Sequence, residues 1–345
     1  MIPSLEWIEG KNTVKMIDQT LLPGKLVFLE FTDYRGVAKS IKDMNIRGAP
    51  AIGVAAAMGM GLAALEFQKL AFAEFQVKMD EAAKTITSTR PTAVNLFWAV
   101  ERIQKVMKSA GQDPKTICKA VVAECKKMWQ EDIDTNLSIG KHGAALLKDG
   151  DTVLTHCNAG SLATVQYGTA LAPIRWAIDE DHKKIQVVAD ETRPWLQGAR
   201  LTAYELFYDK IPVKVESDNT AGIMMRLGKI QKVIVGADRI VKDAVFNKVG
   251  TYMVAICAKY HKIPMYIAAP RSTLSLNQTE KDVTIEMRDG WFEVAEAMGR
   301  LKEPVVPKGV ECVNYTFDAT PMELITGIIT EDGVFSPEEL FKRYQ

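Results

Sequence analysis

The sequence has no surplus of charge. Among 345 residues, 43 lysines and arginines balance 43 aspartates and glutamates. Such a chain has no global field to draw in nucleic acid or an anionic membrane, so an anionic ligand must be held by a few local groups. Cysteine is scarce and odd in number: Cys118, Cys125, Cys157, Cys257 and Cys312. That scatter excludes a disulfide framework and fits a reducing cytoplasm. The four histidines, His142, His156, His182 and His261, have no ligand spacing, and no Cys-x-x-Cys occurs, so no metal site is expected. Neither G-x-G-x-x-G nor G-x-x-x-x-G-K-[ST] is present, which disfavours a bound nucleotide. The opening Met1–Asn12 has no basic segment followed by an apolar core, so no signal peptide is expected. Only Ala49–Leu65 is long and uncharged. It is rich in alanine and glycine, and reads as a closely packed core helix rather than a membrane span of about 20 residues.

What is present is a βα rhythm. Short β-branched runs at Thr152–Thr155, Ile185–Ala189, Val213–Glu216, Val233–Val235 and Met265–Ala268 alternate with helical patterns at Ala163–Asp179, Ala199–Tyr208, Ala221–Leu227 and Thr251–Tyr260. Alternation of this kind predicts a parallel sheet. Five units, with a sixth expected near Glu311–Asn314, are too few for an eight-fold barrel and favour an open, doubly wound sheet. The first part reads as helices over Val37–Phe67, Phe72–Ser88, Thr92–Ser109 and Pro114–Leu147, after a strand at Lys25–Phe31. The expectation is an α/β protein: a small, mainly helical N-terminal domain with a few strands, residues 1–148, and a doubly wound catalytic domain, residues 149–345.

Ligands of open parallel sheets bind beyond the carboxyl ends of the strands. Four polar residues follow those ends: Cys157, Asp190, Asp218 and Asp238. An Asp there is often only a helix cap or turn former. Asp218, in Ser217-Asp218-Asn219 before a helical pattern, fits a cap best. Asp238 fits one worst, because a long loop follows it. At the end of the apolar Val233–Ala237 run its carboxyl could hold a proton and act as an acid. Cys157, on a strand-to-helix turn, could be activated by the helix N-terminus or be a buried structural thiol. His156 should point to the opposite face from Cys157. Arg47-Gly48-Ala49-Pro50, Arg90-Pro91 and Arg193-Pro194 each place an arginine just before an expected helix start, where free N–H groups favour a phosphate. Lys248 is a further candidate for phosphate or sugar hydroxyls.

Taken together, these stretches resemble the methylthioribose-1-phosphate isomerases of methionine salvage, a family of aldose–ketose isomerases related to the regulatory subunits of initiation factor 2B. The resemblance rests on Arg47–Gly53, Thr89–Ala99, Thr155–Gly160, Ala189–Arg200, Val235–Ile240 and Asn247–Tyr252, in that order. It implies a Rossmann-like sheet domain, Cys157 and Asp238 as the catalytic pair, and Arg47, Gly48, Ala49, Arg90, Gln197, Asn247 and Lys248 as substrate-binding residues. It further implies a homodimer, with no metal and no organic cofactor, acting on a small sugar phosphate. Departures lie at Ile240–Phe246, Thr284–Asp289 and Asn314–Asp318, away from the catalytic pair. The alternatives are an isomerase of ribose 1,5-bisphosphate or 5-deoxyribose 1-phosphate, and a non-catalytic relative of the initiation-factor subunits.

Overall fold

The computed structural model describes residues 1–90 and 93–344. The chain forms two compact units, Met1–Asn136 with Gly160–Gly168, and Leu137–Ala159 with Thr169–Gln345. They do not divide at Lys148-Asp149. The division falls inside a long helix, Pro114–Ala144, between Asn136 and Leu137, ahead of the boundary expected from sequence.

The first unit opens with an antiparallel sheet, β1 (Leu5–Ile8), β2 (Thr13–Ile17) and β3 (Phe28–Phe31). The first two strands escape a helix-centred reading because each is only four or five residues long. Helices α1 (Tyr34–Lys42), α2 (Ala49–Phe67), α3 (Phe72–Thr87) and α4 (Val94–Ser109) follow, then the first part of α5 (Pro114–Ala144). The expected single helix over Val37–Phe67 is broken at Asp43–Gly48. Asp33 caps α1, accepting from the N–H groups of Arg35 and Gly36. α2 is apolar all round and packs against α1, α3 and α4. It is long and apolar enough to cross a membrane, yet 83% of its most apolar window is buried within the protein.

The second unit carries β4 (Thr152–Thr155), α6 (Ala172–Asp179), β5 (Gln186–Asp190), α7 (Ala203–Tyr208), β6 (Val213–Glu216), α8 (Ala221–Arg226), β7 (Lys232–Val235), β8 (Arg239–Ile240), β9 (Ala244–Lys248), α9 (Thr251–Tyr260), β10 (Met265–Ala268), β11 (Phe317–Pro321), β12 (Gly327–Thr330), β13 (Gly333–Phe335) and α10 (Pro337–Tyr344). Its main sheet runs β13-β12-β10-β7-β4-β5-β6, parallel except for β13. Counted in chain order, the six parallel strands lie 3-2-1-4-5-6, so the order reverses between β4 and β7. The sixth is β12; Glu311–Asn314 forms no strand. Successive residues alternate faces. Leu154, Val188, Val233, Val235, Ile267 and Ile328 pack with α8, α9 and α10. Val153, Val187, Ile234, Ala268 and Ile329 pack with the end of α5, α6 and α7. Burial on both faces explains the unbroken apolar runs.

The residues after Asp238 are not the expected long loop. They form the β8–β9 hairpin, with Arg239 opposite Phe246, and β9 pairs with β11. α6 starts at Ala172, later than the pattern from Ala163 suggested, because Ser161–Ala163 makes only a single 3₁₀ turn.

In the first unit, Asp132 Oδ2 accepts from the Val165 N–H at 2.7 Å and from Asn136 Nδ2 at 3.1 Å. Burial nevertheless pushes its carboxyl up to about 7. The unfolded chain gives up that proton near the ordinary aspartate value while the folded chain keeps it, so stability falls as pH rises between the two. Asp132→Asn removes this penalty. Its melting temperature, measured by circular dichroism, should exceed that of the wild type by more at pH 8 than at pH 5. A pH-independent difference would remove Asp132 as the cause.

Candidate active site

The switch point between β4 and β7 places two polar residues at adjacent strand ends. Cys157 follows β4 and Asp238 follows β7. Cys157 has φ 65°, a left-handed backbone rarely adopted by a non-glycine residue. Its peptide is held from both sides. The Cys157 N–H donates to Thr192 Oγ1 at 2.8 Å, and Thr202 Oγ1 donates to the Cys157 carbonyl at 2.7 Å. Thr192 itself has φ 64°, and its hydroxyl donates to the Asp190 carbonyl. Asn158 Nδ2 donates to Thr202 Oγ1 and to Glu205 Oε1. Glu205 in turn is paired in the interior with Arg175 at 2.8 Å.

Asp218 does not cap its own short helix. Its two carboxylate oxygens each accept one N–H, from Thr192 and from Arg193, both at 2.7 Å. Asp190 and Asp218, read from sequence only as strand-end acids, therefore support the Cys157 turn. The Arg193-Pro194 expectation also needs correction. Pro194 lies in a turn ahead of the helical residues, and Arg193 Nη2 donates to the Val294 carbonyl at 2.9 Å.

His156 is buried just past the end of β4. Its Nδ1 lies 2.8 Å from Asp190 Oδ2, and its Nε2 lies 2.9 Å from the Val249 carbonyl. A carbonyl only accepts, so Nε2 carries a hydrogen, and the histidine and Asp190 share the proton between them. Burial works against the imidazolium, but Asp190 and the Val249 carbonyl outweigh it and hold the His156 proton above the ordinary histidine range. Burial, with Asp190 and Asp218 close by, pushes the Glu216 carboxyl up to about 7.

The end of β9 brings up Asn247 and Lys248, both buried and paired with β11. Asn247 Nδ2 donates to Thr251 Oγ1. Lys248 Nζ donates to the Thr316 carbonyl at 2.6 Å and lies 4.7 Å from the centre of the Phe317 ring. Burial pushes its ammonium below the usual lysine range; Cys157 and Asp238 are the two strongest groups opposing that shift. The structure thus brings Cys157, Asp238 and Lys248 into one electrostatic neighbourhood. Asp238 itself is exposed, not enclosed by the apolar strand before it, because its backbone N–H pairs with the Phe246 carbonyl across the hairpin and carries it past the strand end. Gln197, in the turn after β5, is buried with its Oε1 lacking a hydrogen-bond partner.

The remaining candidates lie in the first unit. Gly48 is the N-cap of α2 with φ 93°, and a Cβ there would fall 2.2 Å from the Ala163 carbonyl oxygen, so only glycine fits. Ala49 and Pro50 start the helix, with the half-buried Arg47 just before it. Arg90 is half-buried ahead of α4; its neighbours Pro91 and Thr92 lie outside the described residues.

Among the described residues, His156, Asp190 and Asp218 hold potential ligand atoms within 4.8 Å of one another. Hydrogen bonds already occupy both nitrogens of His156, one oxygen of Asp190 and both oxygens of Asp218. This donor set therefore does not fit a metal ion. Adding Zn²⁺ or Mg²⁺, or dialysing against EDTA, should leave the melting temperature unchanged. A saturable rise with either ion would reveal binding to the folded state.

Residues 45–337 match the initiation factor 2 subunit family, IF-2B. The methylthioribose-1-phosphate isomerase of Geotalea uraniireducens is 51% identical over 334 residues, covering 96% of this chain and 94% of that protein. A solved structure of 5-methylthioribose 1-phosphate isomerase from Pyrococcus horikoshii OT3 aligns with a TM-score of 0.91 at 39% identity, covering 100% of this chain and 95% of that one. A solved structure of translation initiation factor eIF-2B, subunit delta, from A. fulgidus aligns with a TM-score of 0.88 at 45% identity, covering 99% and 98%. The chain belongs to the initiation factor 2 subunit family.

Proposed function

We propose that this protein isomerises 5-methylthioribose 1-phosphate, an aldose phosphate, to 5-methylthioribulose 1-phosphate, its ketose, in methionine salvage. The observation that carries this reading is the convergence of Cys157, Asp238 and buried Lys248 beyond the two strands where the sheet order reverses. The names of the Geotalea and Pyrococcus relatives support it.

The chemistry has one obstacle. The phosphate sits on the anomeric oxygen, so the ring cannot open to a free aldehyde. In this reading Asp238 gives a proton to the ring oxygen as the C1–O4 bond breaks, leaving the phosphate on C1. Hydrogen then moves from C2 to C1, and the C2 hydroxyl loses its proton to become the ketone. Cys157 thiolate takes the C2 proton and returns it to C1 in an enediol route. In a hydride route the hydrogen carries its electron pair from C2 to C1, with Cys157 beside it. Because Asp238 is exposed, the bound sugar itself must shield its carboxyl. Gln197 Oε1, buried without a donor, suits a sugar hydroxyl. Asn247 and Lys248, at the end of β9, are further substrate-binding candidates, and Arg47, Gly48, Ala49 and Arg90 are the candidates for the phosphate. The reaction needs no metal or organic cofactor.

The reading places the protein in the cytoplasm as a homodimer. Tyr252, Met253, Ile256 and Tyr260 form one exposed apolar stripe on α9, a surface suited to a second copy. The name of the A. fulgidus neighbour favours a second reading, a non-catalytic subunit of a translation factor.

Isomerase turnover, followed by ³¹P NMR, separates the two readings. Cys157→Ser and Asp238→Asn should each lower kcat by at least about 10²-fold, the scale of acid–base groups, with the circular dichroism spectrum unchanged. Near-normal turnover in either variant would remove that residue from the mechanism, and a wild type that is inactive on the sugar phosphate would favour the non-catalytic reading.

The arginines give an independent check. Arg47→Ala or Arg90→Ala should weaken substrate binding by roughly 1.5–3 kcal/mol through the loss of charge-assisted hydrogen bonds. Unchanged affinity for both substrate and inorganic phosphate would make them structural.

A further inference from the structure

His156 takes no direct part in the reaction above, yet it is the buried link between the Cys157 turn and the end of β9, which carry it. It sits on the chain immediately before Cys157, and its Nε2 donates to Val249, immediately after Lys248, at 2.9 Å. Its other nitrogen is tied to Asp190 Oδ2 at 2.8 Å, and the Asp190 carbonyl accepts from the Thr192 hydroxyl that receives the Cys157 N–H. The fit is close. Gly250 has φ 105°, and a Cβ there would fall 2.7 Å from His156 Cε1. Asp318 Oδ2 holds the same turn from the far side through the N–H groups of Gly250 and Tyr252.

We propose that His156 is a positioning residue: clamped between Asp190 and the Val249 carbonyl, it fixes the Cys157 turn and the end of β9, Asn247-Lys248, in register. The proposal rests on the isomerase reading for its consequence in turnover, but not for its geometry. An imidazole suits the task because it is rigid and presents two polar atoms on opposite edges. The amide of asparagine imitates the Nδ1 edge and can keep the bond to Asp190, but is too short for Val249. The amide of glutamine imitates the Nε2 edge and can keep the bond to Val249.

The test compares His156→Asn and His156→Gln in two measurements on the full-length protein. The first is kcat and KM for isomerisation. Misplacing a reacting group by about 1 Å costs on the order of 10²-fold. His156→Asn should therefore lose about that in kcat, and His156→Gln should recover to within about tenfold of wild type. The second is the rate at which iodoacetamide alkylates Cys157, read by peptide mass spectrometry against Cys312 in the same molecule. Loss of register removes the Lys248 ammonium from the thiol, so alkylation should slow at least about fivefold in His156→Asn and less in His156→Gln. Should His156→Asn fail to fold, Gly250→Ala presses on the same ring from the other side and should slow Cys157 alkylation likewise. Unchanged or faster Cys157 alkylation in the folded variants would overturn the proposal, as would equal kcat for His156→Asn and wild type. An inactive wild type whose Cys157 alkylation still depends on His156 would overturn the isomerase reading alone.

Discussion

Everything in the second unit's site depends on one strained peptide, the left-handed backbone at Cys157. A cysteine gains nothing from that conformation by itself; the surroundings must over-determine it. Here they do so through two threonine hydroxyls, one at the Cys157 N–H and one at its carbonyl, each fixed by a further buried group: Thr192 by the Asp190 carbonyl, and Thr202 by Asn158, itself held by Glu205. The arrangement turns the thiol out of the strand direction at the point where the sheet order reverses. A crevice opens there because the connections on either side run to opposite faces.

The polar web behind the turn is organised around unequal partners. Asp218 spends both oxygens on the backbone N–H groups of Thr192 and Arg193. His156 and Asp190 share a proton in the interior, and Glu216 stands beside Asp190 with its carboxyl pushed up to about 7. Removing one member of such a web leaves the others buried without partners, which is costlier than never having built it. The same reasoning applies to Arg175, whose buried pairing with Glu205 and Asp209 anchors the far end of the chain of contacts that reaches Cys157 through Asn158 and Thr202.

The parallel sheet was legible in the sequence because burial on both faces writes its strands as unbroken apolar runs. Thr152–Thr155 and Met265–Ala268 fall where the runs place them, while the edge strand Val213–Glu216, with Lys214 and Glu216 in it, was found by its β-branched valines. The β8–β9 hairpin and its partner β11 were not, because β8 is only two residues long and β9 meets β11 far along the chain, with Lys248 opposite Phe317. Of the site, the strand-end positions of Cys157 and Asp238 were legible from topology alone. The role of Asp218 was not. A side chain that bonds the backbone of another loop looks, in sequence, like one that caps its own helix. The burial of Asp238 was expected from the apolar strand before it, but the hairpin carries the residue out past the strand end. The clamp at His156 was hidden because its acceptor, the Val249 carbonyl, belongs to every residue type.

In this mechanism Cys157 is the group beside the reacting carbons and Asp238 the acid at the ring oxygen, with buried Lys248 as a third polar group of the same site. A crystal structure with 5-methylthioribulose 1-phosphate bound tests this most directly. The expected result is C1 and C2 of the sugar against Cys157 Sγ, the C4 hydroxyl (the former ring oxygen) at the Asp238 carboxyl, and Lys248 within hydrogen-bonding distance of the ligand. A product molecule seated elsewhere, with the crevice beyond β4 and β7 unfilled, would contradict it.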